Sequence, residues 1–241
     1  MFMLKRKIGY SSLGRDGKIR LSAIIDFMQD SSDFHLKSLD FLQEYFRNNN
    51  MGMYVVSRQL DFLRLPGYGE ELCLNTFTHE CKNMYGYRNT LIYGNDGDLC
   101  VRANTIGAFM DLETSKPVKI TQEILSQVQL EPKIDMEYLP RKVKPPDKEP
   151  ERLSGLTVRK YHLDSNLHIN NAKFIDIAQE FIPDEYDGRN IKRLMVEYRT
   201  PASLGDVIMP ERYVCGNNVI IKLSGENTLQ NTTYAVAEFM Y

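Results

Sequence analysis

Asp164, Asn166 and His168 stand at every second position in the stretch VRKYHLDSNLHINNAKFIDIAQEFIP, residues 158–183. A carboxylate, an amide and an imidazole are the parts of acid–base or carboxylate chemistry at a polarised carbonyl. Asp164 can act as base or nucleophile, His168 can position or protonate, and Asn166 can hold a water or the histidine. In an extended segment side chains alternate between faces, so the spacing predicts that all three share one face. Each residue alone has a bland explanation in turn or cap chemistry. Three together, directly before a helix, favour a site.

The helix that must position them is legible. Asn170 or Asn171 can cap it, and Phe174, Ile177, Ala178, Phe181 and Ile182 recur at helical spacing before Pro183 ends it. Ile175 widens the stripe, which fits a helix wrapped by a sheet. Its N-terminus then points at the polar cluster, where amides at Asn170–Ala172 can stabilise a developing oxyanion. Ester or thioester hydrolysis fits these parts.

Other chemistries lose their supports. There is no P-loop, dinucleotide fingerprint or H-E-x-x-H motif, so phosphoryl transfer, hydride transfer and zinc hydrolysis have no foothold. Cys73, Cys81, Cys100 and Cys215 lack metal spacing and do not group with the histidines, so neither a metal nor a disulfide framework is expected. A formal charge of −2 over 241 residues gives no basic field for nucleic acid. With no apolar run long enough for a signal or a membrane span, a cytoplasmic protein is expected.

The elements on either side repeat. A strand is expected in the first ten residues, then helices from Ser22 to about Leu36 and from Ser38, then strands over 53–64, 70–80, 84–94 and 99–111. Asn95-Asp96-Gly97-Asp98 marks a hairpin. A short helix within ITQEILSQV follows, and residues 132–150, with five prolines, read as a linker. The order then returns: a strand at 155–163, the helix at 172–182, and strands near 191–200, 206–214, 218–225 and 231–240.

IIDFMQD at 24–30 aligns with FIDIAQE at 174–180, an offset of 174 − 24 = 150. Further on, LDFLRLPGYGEEL parallels MVEYRTPASLGDVI at a shorter offset, because the first half has extra helical residues at 38–46. The chain is thus read as a tandem duplication of an α+β unit, an antiparallel sheet curled around a helix, over 1–131 and 151–241. At the 150-residue offset Asp164, Asn166 and His168 correspond to Gly14, Asp16 and Lys18. Chemistry is therefore expected once per chain, in the second copy, with the first supplying packing and much of an apolar cavity.

With those residues in view, the chain resembles the acyl-acyl carrier protein thioesterases, whose members are tandem hotdog folds. LDSNLHINNAKFIDIAQEFIP is similar to the family signature D-x-N-x-H-V-N-N followed by a helix ending in Glu and Pro. Asp164, Asn166, His168, Asn170, Asn171, Glu180 and Pro183 fill its positions. LCVRANTIGAFMDLETSKPVKI resembles a family strand in the first half. The resemblance implies a double hotdog, two curled antiparallel sheets each around a long central helix. It also implies hydrolysis of acyl chains from the phosphopantetheine thioester of acyl carrier protein, without metal or organic cofactor. Asp164, Asn166 and His168 inherit the catalytic roles, with Asn170, Asn171 and Glu180 in support.

One departure stands out. Plant members read Y-R-x-E-C after the second-half strand, with a Glu implicated in catalysis and a Cys once proposed as nucleophile; this chain reads YRTPAS, placing Pro201 and Ala202 there. Acyl carrier proteins are acidic, and Arg141, Lys142, Lys144, Arg152, Arg159 and Lys160 lie near the signature in sequence, so they are the expected docking charges. The chain is expected as a monomer or homodimer. Two other readings share the fold: an acyl-CoA hydrolase, which needs a pocket for the nucleotide, and a non-catalytic acyl-binding protein, which tolerates loss of the Glu.

Overall fold

A computed structural model describes residues 1–186, 190–226 and 232–241. Residue 231 of the last expected strand lies outside them. The chain forms two compact units, one of Met1–Ile19 with Asp26–Leu139, the other of Arg20–Ile25 with Pro140–Tyr241. Each is an antiparallel sheet with few helices.

In the first unit the strands are β1 (Phe2–Lys7), β2 (Met51–Phe62), β3 (Glu71–Lys82), β4 (Tyr85–Tyr93) and β5 (Leu99–Asp111), with a two-residue β6 (Lys116–Pro117) on β5. They lie in the order β1-β3-β4-β5-β2. The expected Asn-Asp-Gly-Asp turn joins β4 to β5: Gly97 takes a φ of 74° and donates to the Gly94 carbonyl at 3.1 Å, a backbone state glycine adopts without steric cost. Helices α1 (Leu21–Lys37), α2 (Asp40–Asn48) and α3 (Gln122–Gln127) accompany the sheet. Helix α1 starts one residue before Ser22, which is buried in its first turn and is not a cap. Met28 on α1 is fully buried, as are Leu60, Leu72 and Leu74 on the sheet, so the interior of this unit is apolar.

The second unit repeats this order. Its strands are β7 (Glu151–Arg152), β8 (Leu156–Thr157), β9 (Arg193–Tyr198), β10 (Val207–Cys215), β11 (Asn218–Gly225) and β12 (Thr233–Met240), and its helix is α4 (Asn171–Gln179). The strand order is β7-β10-β11-β12-β9, with β8 also on β10. Val196, Ile221, Val236 and Phe239 are fully buried together with Ile175 and Ala178 of α4.

Several backbone hydrogen bonds recur in both units. Ser12 N–H donates to Gly9 O at 3.0 Å as His162 does to Arg159 O at 3.0 Å, and Leu13 pairs with Ile19 as Leu163 pairs with Ile169. Each pair keeps the 150-residue offset. Further on, Glu70 N–H donates to Gly67 O at 3.3 Å and Asp206 N–H to Ser203 O at 3.1 Å, an offset of 206 − 70 = 136. The shortening follows from α2, which has no counterpart among the described residues of the second unit.

Two sequence expectations need correction. The strand expected at 155–163 is only β8, followed by a 3₁₀ turn at Lys160–His162. Here the side chain and carbonyl of His162 are used locally, so the segment curls. Helix α4 ends at Gln179, not at 182, with Glu180 as its C-cap and Phe181 and Ile182 in closing turns that donate to Ala178 O and Gln179 O. The proline-rich stretch 132–150 has neither helix nor strand but is pinned. The Gln59 side chain donates to Glu137 O at 2.8 Å and accepts from Leu139 N–H at 3.0 Å, while Val143 N–H donates to Glu197 Oε2 at 3.2 Å.

Candidate active site

The candidate residues of the second unit sit on a closed turn, not on the extended strand that their spacing predicted. Asp164 N–H donates to His168 O at 2.9 Å and Leu167 N–H to Asp164 O at 3.1 Å. Because Leu163 and Ile169 pair just outside this turn, Asp164 and His168 are opposite positions of a miniature antiparallel ladder. Opposite residues share a face, with Cβ atoms roughly 5 Å apart. The juxtaposition of acid and imidazole therefore survives, but hairpin pairing produces it.

Asn166 does not join them on that face. It sits at the exposed turn tip, and its backbone N–H donates to Asp164 Oδ1 at 2.8 Å, an Asx turn that holds the carboxylate in place. Leu167 takes a φ of 62°, where the first unit has Gly17 at 73°. A leucine in this left-handed region carries strain. Asp164 and His168 are half-buried, and the His168 ring makes no hydrogen bond among the described residues.

Helix α4 begins two residues later. The Asn170 side chain accepts from Ala172 N–H at 2.7 Å and the Asn170 carbonyl accepts from Lys173 N–H at 2.9 Å. Asn170 N–H itself donates to His162 O at 3.0 Å. Of the three amides expected to face a ligand at Asn170–Ala172, two are thus consumed by capping and by the turn. Asn171 N–H is the one left without a partner among the described residues. The Asn171 carbonyl accepts from Tyr198 Oη at 3.2 Å. Glu180 is not brought to this place: it caps the far end of α4, about 15 Å along the axis from Asn170 at 1.5 Å per residue.

His162, not singled out in the sequence, underlies the turn. It is buried, its Nδ1 accepts from Arg159 N–H at 3.0 Å, and burial followed by the charges of Lys173 and Arg159 lowers its pKa. The ring is therefore neutral with its proton on Nε2, and it positions the backbone that carries Asn170. The repeat offers a signal for it, since the corresponding residue of the first unit is Ser12.

The chain segment that departs from the plant pattern lies beside this turn. Ile169 N–H donates to Ala202 O at 2.9 Å, and His168 forms a backbone bridge with Ser203. Ala202 is fully buried. Cys215 is exposed at the end of β10 next to the Gly216 turn. Lys142, Lys144, Arg152, Arg159 and Lys160 are exposed and Arg141 is half-buried.

The first unit lacks the acid and the imidazole on its matching turn, where Gly14 N–H donates to Lys18 O at 2.8 Å and Asp16 Oδ1 accepts from Lys18 N–H at 3.0 Å. It contains instead a cavity of about 100 Å³ between α1, α2 and the sheet. Leu36, Leu39, Leu42, Met53, Phe109 and Ile120 supply apolar wall. Gly86 and Gly107, opposite each other on β4 and β5, leave the space that Met53 fills: a Cβ on Gly107 would lie 2.9 Å from Met53 Sδ.

Comparison with known proteins bears on the family and the fold. The model described as the acyl-ACP thioesterase N-terminal domain matches residues 1–128, and that of the C-terminal domain matches 146–235. Among curated proteins, a chloroplastic dodecanoyl-[acyl-carrier-protein] hydrolase of Cinnamomum camphora is 23% identical over 90% of this chain and 60% of its own length. A chloroplastic acyl-[acyl-carrier-protein] hydrolase of Cuphea viscosissima is 26% identical over 78% of this chain and 48% of its own. The chain thus spans about half to three-fifths of these relatives. Among solved structures, an acyl-ACP thioesterase from Bacteroides thetaiotaomicron superposes with a TM-score of 0.88 at 17% identity, covering 99% of this chain and 96% of that one. The 12:0-ACP thioesterase from Umbellularia californica gives 0.85 at 19% identity, covering 99% and 96%. No helix among the described residues is long and apolar enough to cross a membrane. Matched by both domain models along most of its length and sharing the fold of these enzymes, the chain belongs to the acyl-ACP thioesterase family.

Proposed function

We propose that the chain hydrolyses the thioester linking an acyl group to acyl carrier protein and releases a free fatty acid. The observation that carries this reading is the pairing of Asp164 with His168 across a turn, immediately before α4, in a chain that both family models match. Water attacks the thioester carbonyl while Asp164 or His168 takes its proton, the C–S bond breaks, and the phosphopantetheine thiolate leaves and is protonated. Asn171 N–H is the donor for the developing oxyanion. Asn166 holds Asp164 through its backbone, and Asn170 caps α4.

In this reading each unit is a hotdog domain, its sheet curled around α1 or α4. The second, 151–241, carries the chemistry; the first, 1–131, supplies packing and the acyl cavity; and 132–150 connects them. Acyl carrier protein docks on Arg141, Lys142, Lys144, Arg152, Arg159 and Lys160, of which all but Arg141 are exposed. The proposal extends to a monomer or homodimer in the cytoplasm, a setting drawn from sequence pattern alone; the plant relatives are named as chloroplastic.

Thiol release from matched acyl-acyl carrier protein and acyl-CoA substrates tests it. The carrier-protein thioester is expected to be turned over with the higher kcat/KM. Preference for CoA would make the chain an acyl-CoA hydrolase. No turnover of either would favour an acyl-binding role, the reading that Pro201 and Ala202 support at the family's Glu-Cys positions.

A further inference from the structure

The cavity of the first unit contains a buried cation. Arg88, on β4, lines it and is 7% exposed. The hydrogen-bond partners of its side chain are neutral: Nη1 lies 2.8 Å from His35 Nδ1 and 3.2 Å from Thr76 Oγ1, and Nη2 lies 3.5 Å from Thr78 Oγ1. His35 is neutral because burial and then the charge of Arg88 push its pKa down to about 4, so Nδ1 accepts. Phe2 stacks on the His35 ring at 5.6 Å and holds it in that orientation. Burial and the neighbouring Arg58 lower the Arg88 pKa only to about 10, which leaves it charged at neutral pH. The cavity's one carboxylate, Asp33, is 2.7 Å from Lys37 Nζ.

A guanidinium has five N–H donors. These contacts use three, so 5 − 3 = 2 are left to face other groups. Directly opposite Arg88 across the β4–β5 ladder stands Thr105, which also lines the cavity. Its hydroxyl is buried with no hydrogen-bond partner among the described residues. Opposite residues share a face. Along β5 the same face continues through Gly107 to Phe109, so the wall passes from polar to apolar within four residues. A plain hydrocarbon filling this space would leave both the cation's remaining donors and the Thr105 hydroxyl desolvated and unpaired, a costly state.

We propose that the acyl chain this cavity receives carries an oxygen function, which accepts a hydrogen bond from Arg88 and pairs with the Thr105 hydroxyl. The substrate class is then acyl groups bearing a hydroxyl, oxo or terminal carboxylate oxygen, in preference to unsubstituted chains of equal length. This rests on the thioesterase reading for the identity of the chain, and on the cavity alone for the preference. At about 100 Å³ the space is smaller than the ~150 Å³ that accommodates a benzene ring, so it holds a short segment around the oxygen, not a whole long chain.

The test uses hydrolysis-resistant acyl amides of pantetheine, which remove turnover from the readout. One set carries unsubstituted chains; the others carry hydroxy, oxo or terminal carboxylate chains of the same length. Calorimetric titration of the full chain is expected to show at least one oxygenated amide binding about tenfold tighter than its plain counterpart, the scale of one hydrogen bond to a charged group. Arg88→Met is expected to abolish that preference without weakening the plain amide, and Thr105→Val to reduce it. Equal binding across the wild-type sets, or a preference that survives in Arg88→Met, overturns the proposal. Should Arg88→Met fail to fold, judged by its thermal midpoint, the wild-type comparison and Thr105→Val decide. Failure here leaves hydrolysis intact as a reading, and absence of hydrolysis leaves this binding preference measurable.

Discussion

The Ile169 amide donates to the Ala202 carbonyl at 2.9 Å, which fixes the segment carrying Pro201 and Ala202 against the turn that carries His168. Pro201 and Ala202, where the family resemblance led to the expectation of a Glu-Cys pair, thus adjoin the candidate site and supply neither an acid nor a thiol. In the proposed mechanism Asp164 and His168 are the groups that move a proton. Asp164→Asn is expected to lower turnover by about 10² or more, and His168→Ala likewise. Cys215→Ala, Asp16→Asn and Lys18→Ala should leave the rate unchanged. Steady-state rates measured beside thermal midpoints check this; a stable, fully active Asp164→Asn would remove the chemistry from this turn.

The cap at Asn170 is a local and separable contribution. Its side chain satisfies Ala172 N–H at 2.7 Å, so Asn170→Ala should cost about 1 kcal/mol and lower the midpoint by a few degrees. Freed of its cap, Ala172 N–H becomes a second donor at the start of α4. Denaturant melts give the stability change, and no shift at all would mean that water replaces the cap at no cost.

Chain length should respond to the glycine pair in the first unit. A side chain at Gly107 drives Met53 into the cavity, because its Cβ falls 2.9 Å from Met53 Cγ and Sδ. Gly107→Val is expected to cost roughly 1–3 kcal/mol of stability and to shift kcat/KM several-fold toward shorter acyl chains. A profile across chain lengths unchanged from wild type would place the acyl group elsewhere.

Acid should weaken the fold through histidines that are wholly or partly buried. His35, His79 and His162 all have lowered pKa values, with burial the largest cause in each, and that of His35 falls to about 4. Between about pH 6.5 and pH 4 the unfolded chain binds a proton that folded His35 does not. Stability is therefore full above the unfolded value and declines as pH falls through this window. Thermal midpoints of wild type and His35→Gln at pH 7 and pH 5 should show a smaller acid loss in the variant; equal losses would mean that His35 is protonated without penalty.

Docking on exposed charge predicts salt sensitivity. Reversing Lys142, Lys144 and Arg152 to Glu should raise KM for acyl-acyl carrier protein at low salt and leave kcat nearly unchanged, because exposed charges act mainly on encounter and are screened. An unaltered salt dependence of kcat/KM would move the docking surface away from these residues.

The sequence by itself determined what repeats and what is local. Hairpin punctuation such as Asn95-Asp96-Gly97-Asp98, apolar periodicity and the 150-residue offset depend on residues near one another or on the duplication, and the α4 start and the strands other than that expected at 155–163 appear close to where these signals put them. Only the tertiary structure decided the form of the Asp164–His168 segment. Alternation fits a strand, but pairing of Leu163 with Ile169 closes a turn that sets the two side chains opposite each other, and that turn is braced from far along the chain by Ile169 N–H donating to Ala202 O and by the His168–Ser203 bridge. Glu180 matched a family position, yet the length of α4 separates it from Asn170. Arg88 and Thr105 were silent for the same kind of reason. Polar residues in a strand read as its solvent face, and which face is buried depends on where α1 and α2 pack, information that no local pattern of residues contains.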